Sequence, residues 1–375
     1  MKADKKRILY LRHVAGGGGG ADTVILNTAS LIDRERYRVI IAYVRKETED
    51  ISAVMLKTNE RNLEYYDLPG SGIIDISQIR RIGRLIRERD IRIVHCHDPK
   101  TDFYGYLLRL LFPKVKFVST IHGWIERRKR SRYYMKMDRF ALKRFDAVIA
   151  VSMSIMQTAQ KYGISRLHLI HNSIDINKWQ PLHFNKRDGF RIGFVGRLSK
   201  EKGPLDFVLT AKKMLAKYPE CEFLVAGSGP EEGGMKALIR AENIEKSFKF
   251  SGHLKESDLL DLYNGLDLLL LPSYTEGLPM TVLEACAMRV PVIAAKVGGV
   301  GEIIEDGYNG LLGGAGDVDA MAANALKLLE DRELAKRLAD NGRAVVERKF
   351  SLNACVKKIE EVYSHLEDVN NNPDI

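Results

Sequence analysis

The chain has 375 residues, more than one hydrophobic core usually organises, so two domains are expected. With 45% hydrophobic and 29% charged residues it carries enough apolar material for two cores and lacks the polar bias of a disordered chain. Its net charge of +10 is unevenly placed: residues 1–185 hold 34 Lys and Arg against 19 Asp and Glu (+15), whereas residues 186–375 hold 25 against 30 (−5). Strand and helix patterns alternate from the start, the signature of parallel sheets joined by crossover helices. A strand is expected at 8–11, a helix at 21–31 and a strand at 39–44. Residues 79–89 place Ile79, Ile82, Leu85 and Ile86 at helical spacing among arginines. Further strands are expected at 91–95, 117–121 and 147–151. A second series begins near Phe190, with strands at 191–195, 222–226, 268–271 and 290–294 and helices near 205–217, 234–242, 257–265 and 317–329. The polar, Pro181-containing stretch 177–189 has neither periodicity and reads as a linker.

These patterns predict an N-terminal domain over 1–180, a C-terminal domain over 190–350, and a helix and tail over 351–375. Val356, Ile359 and Val362 give that last helix an apolar stripe able to pack back across the first domain. Cys96, Cys221, Cys286 and Cys355 are scattered, with no C-x-x-C pair, so buried free thiols in a reducing compartment are expected. The amino terminus is charged up to Arg7 and its apolar run stops at Leu11, too short for a signal-peptide core. No segment reaches the ~18 apolar residues of a membrane-spanning helix. The expectation is a cytoplasmic protein, with peripheral attachment to the inner face of the cell membrane suggested by the basic half. Arg127-Arg128-Lys129-Arg130-Ser131-Arg132 and the arginines of 80–92 carry much of that charge, which suits anionic headgroups or a phosphorylated acceptor as well as a solvated surface. Nucleic acid is disfavoured, because only Trp124, Tyr133 and Tyr134 lie near the basic run as stacking platforms.

Four constellations carry chemistry. Gly16 to Gly20 follows the first strand and opens a helix, where N–H groups can approach a phosphate without Cβ obstruction; a tight turn that binds nothing fits the same residues. It also matches G-x-G-x-x-A, but a nicotinamide site wants an acidic residue ending the second strand, where Tyr43-Val44-Arg45-Lys46 is basic. Next, Phe194-Val195-Gly196-Arg197-Leu198-Ser199-Lys200-Glu201-Lys202-Gly203 ends a strand and presents Arg197 and Lys202, two cations able to hold a diphosphate and neutralise charge as it departs. His122 stands just past a strand, where imidazole can orient a sugar hydroxyl or donate to a reacting oxygen; a structural histidine fits there equally. His95, His97 and Asp98 have no fourth ligand evident, and no metal is assigned.

The most telling element is Glu276-Gly277-Leu278-Pro279-Met280-Thr281-Val282-Leu283-Glu284, two glutamates with seven residues between them. The apolar 268–271 strand and Pro272 precede it, and Pro279 suits the first turn of the following helix. One carboxylate then sits at the helix mouth and the other inside it, on the order of 12 Å apart along the axis. A glycosidase pair needs roughly 5 to 9.5 Å. The wider spacing suits two tasks on one elongated ligand.

Taken with Ala226-Gly227-Ser228-Gly229-Pro230-Glu231, Pro272-Ser273, His171-Asn172-Ser173-Ile174-Asp175 and the amino-terminal glycines, the box and the Gly-Arg-Leu-Ser-Lys-Glu-Lys-Gly loop resemble glycosyltransferase family 4, retaining enzymes of the GT-B fold. The likeness runs over nearly the whole chain and is strongest over 193–310. It implies an α/β protein of two Rossmann-like domains facing a central cleft, acceptor held mainly by the first and a nucleotide-diphosphate sugar by the second. It further implies catalytic roles for His122, Arg197, Lys202 and Glu276. Donor contacts would come from Gly18, Gly19, Gly196, Gly229, Pro272, Gly277, Leu278, Pro279 and Glu284. Within that set Glu284 would bind the ribose hydroxyls, Glu276 the transferred sugar or adjacent phosphate, Arg197 and Lys202 the diphosphate, and His122 would face the sugar. Ala21-Asp22 departs from the pattern, since many members carry an acidic residue directly after a shorter glycine pair.

The resemblance therefore implies a hexosyltransferase that retains anomeric configuration, with the departing phosphate helping to deprotonate the acceptor hydroxyl. No second carboxylate is evident as nucleophile. A lipid-linked saccharide or glycolipid in cell-envelope or exopolysaccharide synthesis is the expected acceptor, with no cofactor and no metal ion required. The competing readings are a nucleotide-sugar epimerase of the same fold and an inactive, membrane-docked nucleotide-binding protein; the intact pair of glutamates and pair of cations disfavour the latter.

Overall fold

Short apolar runs alternating with amphipathic segments become two separate parallel sheets in the structure, a computed structural model that describes residues 5–14, 20–72, 74–123, 129–181 and 189–371. The chain divides into two units, one running to Asn172 and resuming at Leu352, the other comprising Ser173–Ser351.

The first unit carries β1 (Lys6–His13), β2 (Tyr37–Lys46), β3 (Glu64–Gly70), β4 (Ile91–Cys96), β5 (Lys116–Ile121), β6 (Ala147–Ala150) and β7 (Leu167–Leu169), in spatial order β3-β2-β1-β4-β5-β6-β7. Every pairing is parallel. Ile8, Leu9, Tyr10 and Leu11 of the central strand are fully buried, as a strand covered by helices on both faces requires. The C-terminal helix Leu352–Asn371 belongs to this unit: Leu352, Val356, Ile359, Val362, Tyr363 and Leu366 join the core with Tyr10, Ile25, Ala29 and Tyr37. The Tyr363 hydroxyl donates to that of Tyr10 at 3.0 Å, and Asp33 N donates to Glu360 Oε1 at 2.6 Å. The apolar stripe at 356, 359 and 362 thus does pack back on the first unit.

The second unit carries β8 (Arg191–Val195), β9 (Glu222–Ala226), β10 (Phe248–Gly252), β11 (Leu268–Leu271), β12 (Val292–Ala295) and β13 (Leu311–Gly313), in spatial order β10-β9-β8-β11-β12-β13 and again all parallel. Its core gathers Ile192, Phe194, Phe207, Phe223, Val225, Leu268, Leu270 and Ile293. The segment through Pro181, expected as linker from 177 on, is held by this unit. Trp179 is buried edge-on against Tyr263 at 5.7 Å, and Arg343 Nη1 donates to its carbonyl at 2.6 Å and to that of Ala287. The chain accordingly passes between units at 172/173 and 351/352.

Both sheets have a point where strand order reverses, between β1 and β4 and between β8 and β11. Connections leave in opposite directions there and open a crevice at the carboxyl ends of the strands, where open α/β sheets bind ligands.

Candidate functional site

In the second unit the loops after β8 and β11 meet at the reversal point. Ser199 opens the turn Lys200–Lys202, and Gly203, at φ +66, hands the chain to the helix Pro204–Leu215. Lys202 Nζ lies 2.8 Å from Glu276 Oε1 and 2.7 Å from Oε2, and Ser273 Oγ donates to Oε1 at 2.7 Å. The Glu276 side chain is only 5% exposed and that of Lys202 28%, so this charge-assisted pair faces solvent from the lysine side. Arg197 stands exposed in the same loop.

Glu276 precedes the helix Met280–Ala287 and Glu284 lies within it, so mouth and interior are occupied as expected. Pro279 is the residue before the helix, with ψ of 120°, instead of part of its first turn. Glu284 is buried, and the hydroxyl of fully buried Tyr263 donates to its Oε2 at 2.9 Å. Burial and the neighbouring carboxylate push the Tyr263 phenol well above its ordinary range, so it remains a donor.

Close backbone approaches hold these loops. A Cβ on Gly203 would lie 2.2 Å from the Pro272 carbonyl, and one on Gly229 2.3 Å from the Leu198 carbonyl. Gly298, at φ +51, backs the Glu276 peptide so closely that a Cβ would sit 1.8 Å from its oxygen, and Gly299 N donates to Gly277 O at 2.9 Å. Only glycine fits there. Gly196, at φ +151, turns the chain out of β8, and Leu278 is buried under the box.

At the reversal point of the first unit, Arg12 on β1 forks onto Asp22 (Nε–Oδ1 2.7 Å, Nη2–Oδ2 3.3 Å) and donates to the His97 carbonyl at 3.3 Å. Asp98 takes the His13 N–H at 2.6 Å while capping the helix Pro99–Leu111. His122, just beyond β5, has Nε2 3.5 Å from His97 Nδ1, and His97 stacks on His95 at 4.2 Å. His95 is itself engaged by Tyr363 at 2.6 Å and Thr120 at 2.8 Å. Burial drives His95 and His122 down to about 3, with Arg12 adding to the effect on His122, and holds His97 well below its ordinary value. All three are neutral at physiological pH.

The structure thus gathers Arg197, Lys202, Glu276, Gly196, Gly229, Pro272, Gly277, Leu278, Pro279 and Glu284 within the second unit, and places His122 in the first. Gly18 and Gly19 lie outside the described residues. Ser273, Tyr263, Gly298, Arg12, Asp22 and His97 join these residues only in the structure. Ser273 and Gly298 had a signal, since each follows a buried strand; Tyr263 had none, because its hydroxyl reaches Glu284 only through tertiary packing. Among the described residues no cluster of three metal-ligating side chains occurs, and no helix is long and apolar enough to cross a membrane.

Two Rossmann-like units with polar loops at their reversal points, matched by two glycosyltransferase family models, give the class: a glycosyltransferase of the GT-B fold. Residues 18–178 match the model of Glycosyltransferase Family 4, and 175–345 that of Glycosyl transferases group 1, the two meeting where the units join. The chain belongs to glycosyltransferase family 4. It is 26% identical over 355 residues to the capsular polysaccharide biosynthesis glycosyltransferase CapM of Staphylococcus aureus, covering 86% of this chain and 92% of the relative. It is 24% identical over 372 residues to the UDP-Gal:α-D-GlcNAc-diphosphoundecaprenol α-1,3-galactosyltransferase of Escherichia coli, covering 92% and 93%. HepE of Anabaena, solved in complex with UDP and glucose, shares the fold with a TM-score of 0.84 at 20% identity, over 96% of this chain and 100% of that one.

Proposed function

We propose that the chain is a retaining hexosyltransferase that moves a hexose-type sugar from a nucleoside diphosphate sugar to a hydroxyl of a lipid-linked saccharide or glycolipid. The observation that carries this reading is the Lys202–Glu276 pair at the reversal point of the second sheet, with Glu284 on the helix behind it. A lysine held by two carboxylate oxygens can turn to a diphosphate, and the glutamate it leaves can accept sugar hydroxyls. Glu284 takes the ribose and Arg197 shares the diphosphate. Gly196, Gly229, Pro272, Gly277, Leu278 and Pro279 form the backbone cradle, and roles for Gly18, Gly19 and His122 toward the donor are those the family likeness implies.

The anomeric C–O bond breaks as negative charge builds on the diphosphate, where Lys202 and Arg197 stabilise it. The acceptor oxygen attacks on the same face, its proton passing to the departing phosphate oxygen. Lys202 and Arg197 meet the leaving-group charge, so the proposed reaction draws on no metal ion.

The E. coli relative's diphosphoundecaprenol-linked acceptor supports an acceptor of that class. A membrane-side location is supported by the +15 first half and by exposed Leu110, Leu111 and Phe140, with Arg144 stacked 3.7 Å over the Phe140 ring and Lys114 and Lys143 exposed nearby in sequence. Incubation with UDP-, GDP- and ADP-hexoses and a lipid-diphosphate saccharide, read by NMR of the new anomeric proton, tests the proposal. Retained configuration is expected; an inverted product, or donor isomerisation without transfer, overturns it. Attachment is tested by flotation with vesicles with and without anionic lipid, where recovery independent of anionic lipid at low salt contradicts a membrane-side acceptor.

A further inference from the structure

We infer that Tyr263 is a positioning residue that sets Glu284 to recognise the ribose of the bound nucleotide, an inference that rests on the donor reading above. Glu284 lies in a helix whose other residues, Thr281 excepted, are buried, so its carboxylate has little access to water. A carboxylate in such a place is costly unless hydrogen bonds compensate it. Tyr263 supplies one. It is the buried residue of the helix Glu256–Asn264, and its hydroxyl lies 2.9 Å from Glu284 Oε2 and 3.3 Å from the Thr281 carbonyl.

The geometry fixes direction as well as energy. The Tyr263 ring meets the Trp179 ring edge-on at 72° and is fully buried, so the O–H comes from a side chain with little freedom of its own. A phenol offers one donor, and an ionised carboxylate accepts about four hydrogen bonds. Tyr263 therefore orients Oε2 while leaving acceptor capacity for hydroxyl donors. Ribose presents such donors at its 2′ and 3′ positions. A protonated or rotated Glu284 would lose that match, and with it the ability to tell ribose from deoxyribose.

The test uses the full chain, with Tyr263→Phe, which keeps the ring and deletes only the hydroxyl, and Glu284→Gln, which keeps a partner for Tyr263 but removes the charge. Calorimetry measures UDP, GDP and ADP, then the 2′-deoxy form of the best binder. Wild type is expected to favour the ribonucleotide about tenfold or more, as hydrogen bonds to a charged group give. Both variants lose most of that preference, bind the 2′-deoxy form nearly as wild type does, and raise the donor KM more than they lower kcat. Melting curves check that each variant is folded. A folded Tyr263→Phe that keeps the wild-type ratio overturns this inference alone, as does a Glu284→Gln that keeps it should the phenylalanine variant not fold. Wild-type protein that binds none of the three diphosphates overturns the donor reading and this inference together.

Discussion

The two units are wound alike and treat charge in opposite ways. Each brings loops to the point where its strand order reverses. In the second unit that point carries a lysine 28% exposed on a glutamate, a pair able to trade its internal contact for a ligand's. In the first unit, Arg12 and Asp22 are sealed to 17% and 7%, beside three histidines held neutral by burial. Shared topology fixes where a ligand can bind; the residues at the strand ends decide whether charge or shape receives it.

The largest expected effect falls on the open pair. Lys202→Ala and Glu276→Ala should each lower transfer by about 10²- to 10³-fold, the usual loss for a preorganised electrostatic contact, while circular dichroism stays native. Full turnover in both would erase the difference between the units. The sealed pair should behave differently: Asp22→Ala removes the carboxylate that Arg12 forks onto, leaving it the His97 carbonyl and Asp98 at 4.0 Å, and should destabilise the first unit by about 3 kcal/mol. Hydrogen exchange resolved by segment should show lost protection in the first unit and unchanged protection over 189–351.

Acid sharpens the contrast. The imidazoles of His95 and His122 titrate near 3 when folded and near 6.5 when unfolded, so between those values the unfolded first unit binds more protons. Its stability should fall as pH drops below about 6.5, by up to about 1.4 kcal/mol per pH unit for each histidine. The second unit's described histidine, His253, is exposed. Exchange at pH 7.5 and pH 5 should show the first unit opening first; equal loss in both units would contradict the assignment of neutral buried histidines. The smallest effect is that of Tyr363→Phe, which removes the hydroxyl shared by His95 and Tyr10 and should cost the first unit about 1 to 2 kcal/mol, read as a lower melting temperature.

How much of this was legible follows the same division between covered and exposed. Each inner strand of both sheets shows as an apolar run in the sequence because helices cover both its faces. The strands that do not show, β3, β7, β10 and β13, are the four sheet edges. In β3 only Leu68 and Gly70 are buried, and β7 has no buried residue, so neither has a run to read. Within the site, Glu276, Glu284 and Lys202 are marked by their positions after buried strands. Tyr263 is not, because its role depends on a hydroxyl that meets Glu284 only in space. Asp22 reads locally as the start of a helix, and only the fold reveals Arg12 opposite it.

Calorimetric titration of the full chain with UDP-, GDP- and ADP-hexoses tests the central claim most directly. The account predicts that wild type binds one of them and that Lys202→Ala and Glu276→Ala each weaken that binding about tenfold or more, whereas His253→Ala leaves it unchanged. Binding of equal strength in wild type and both site variants would contradict it, as would a wild type that binds none.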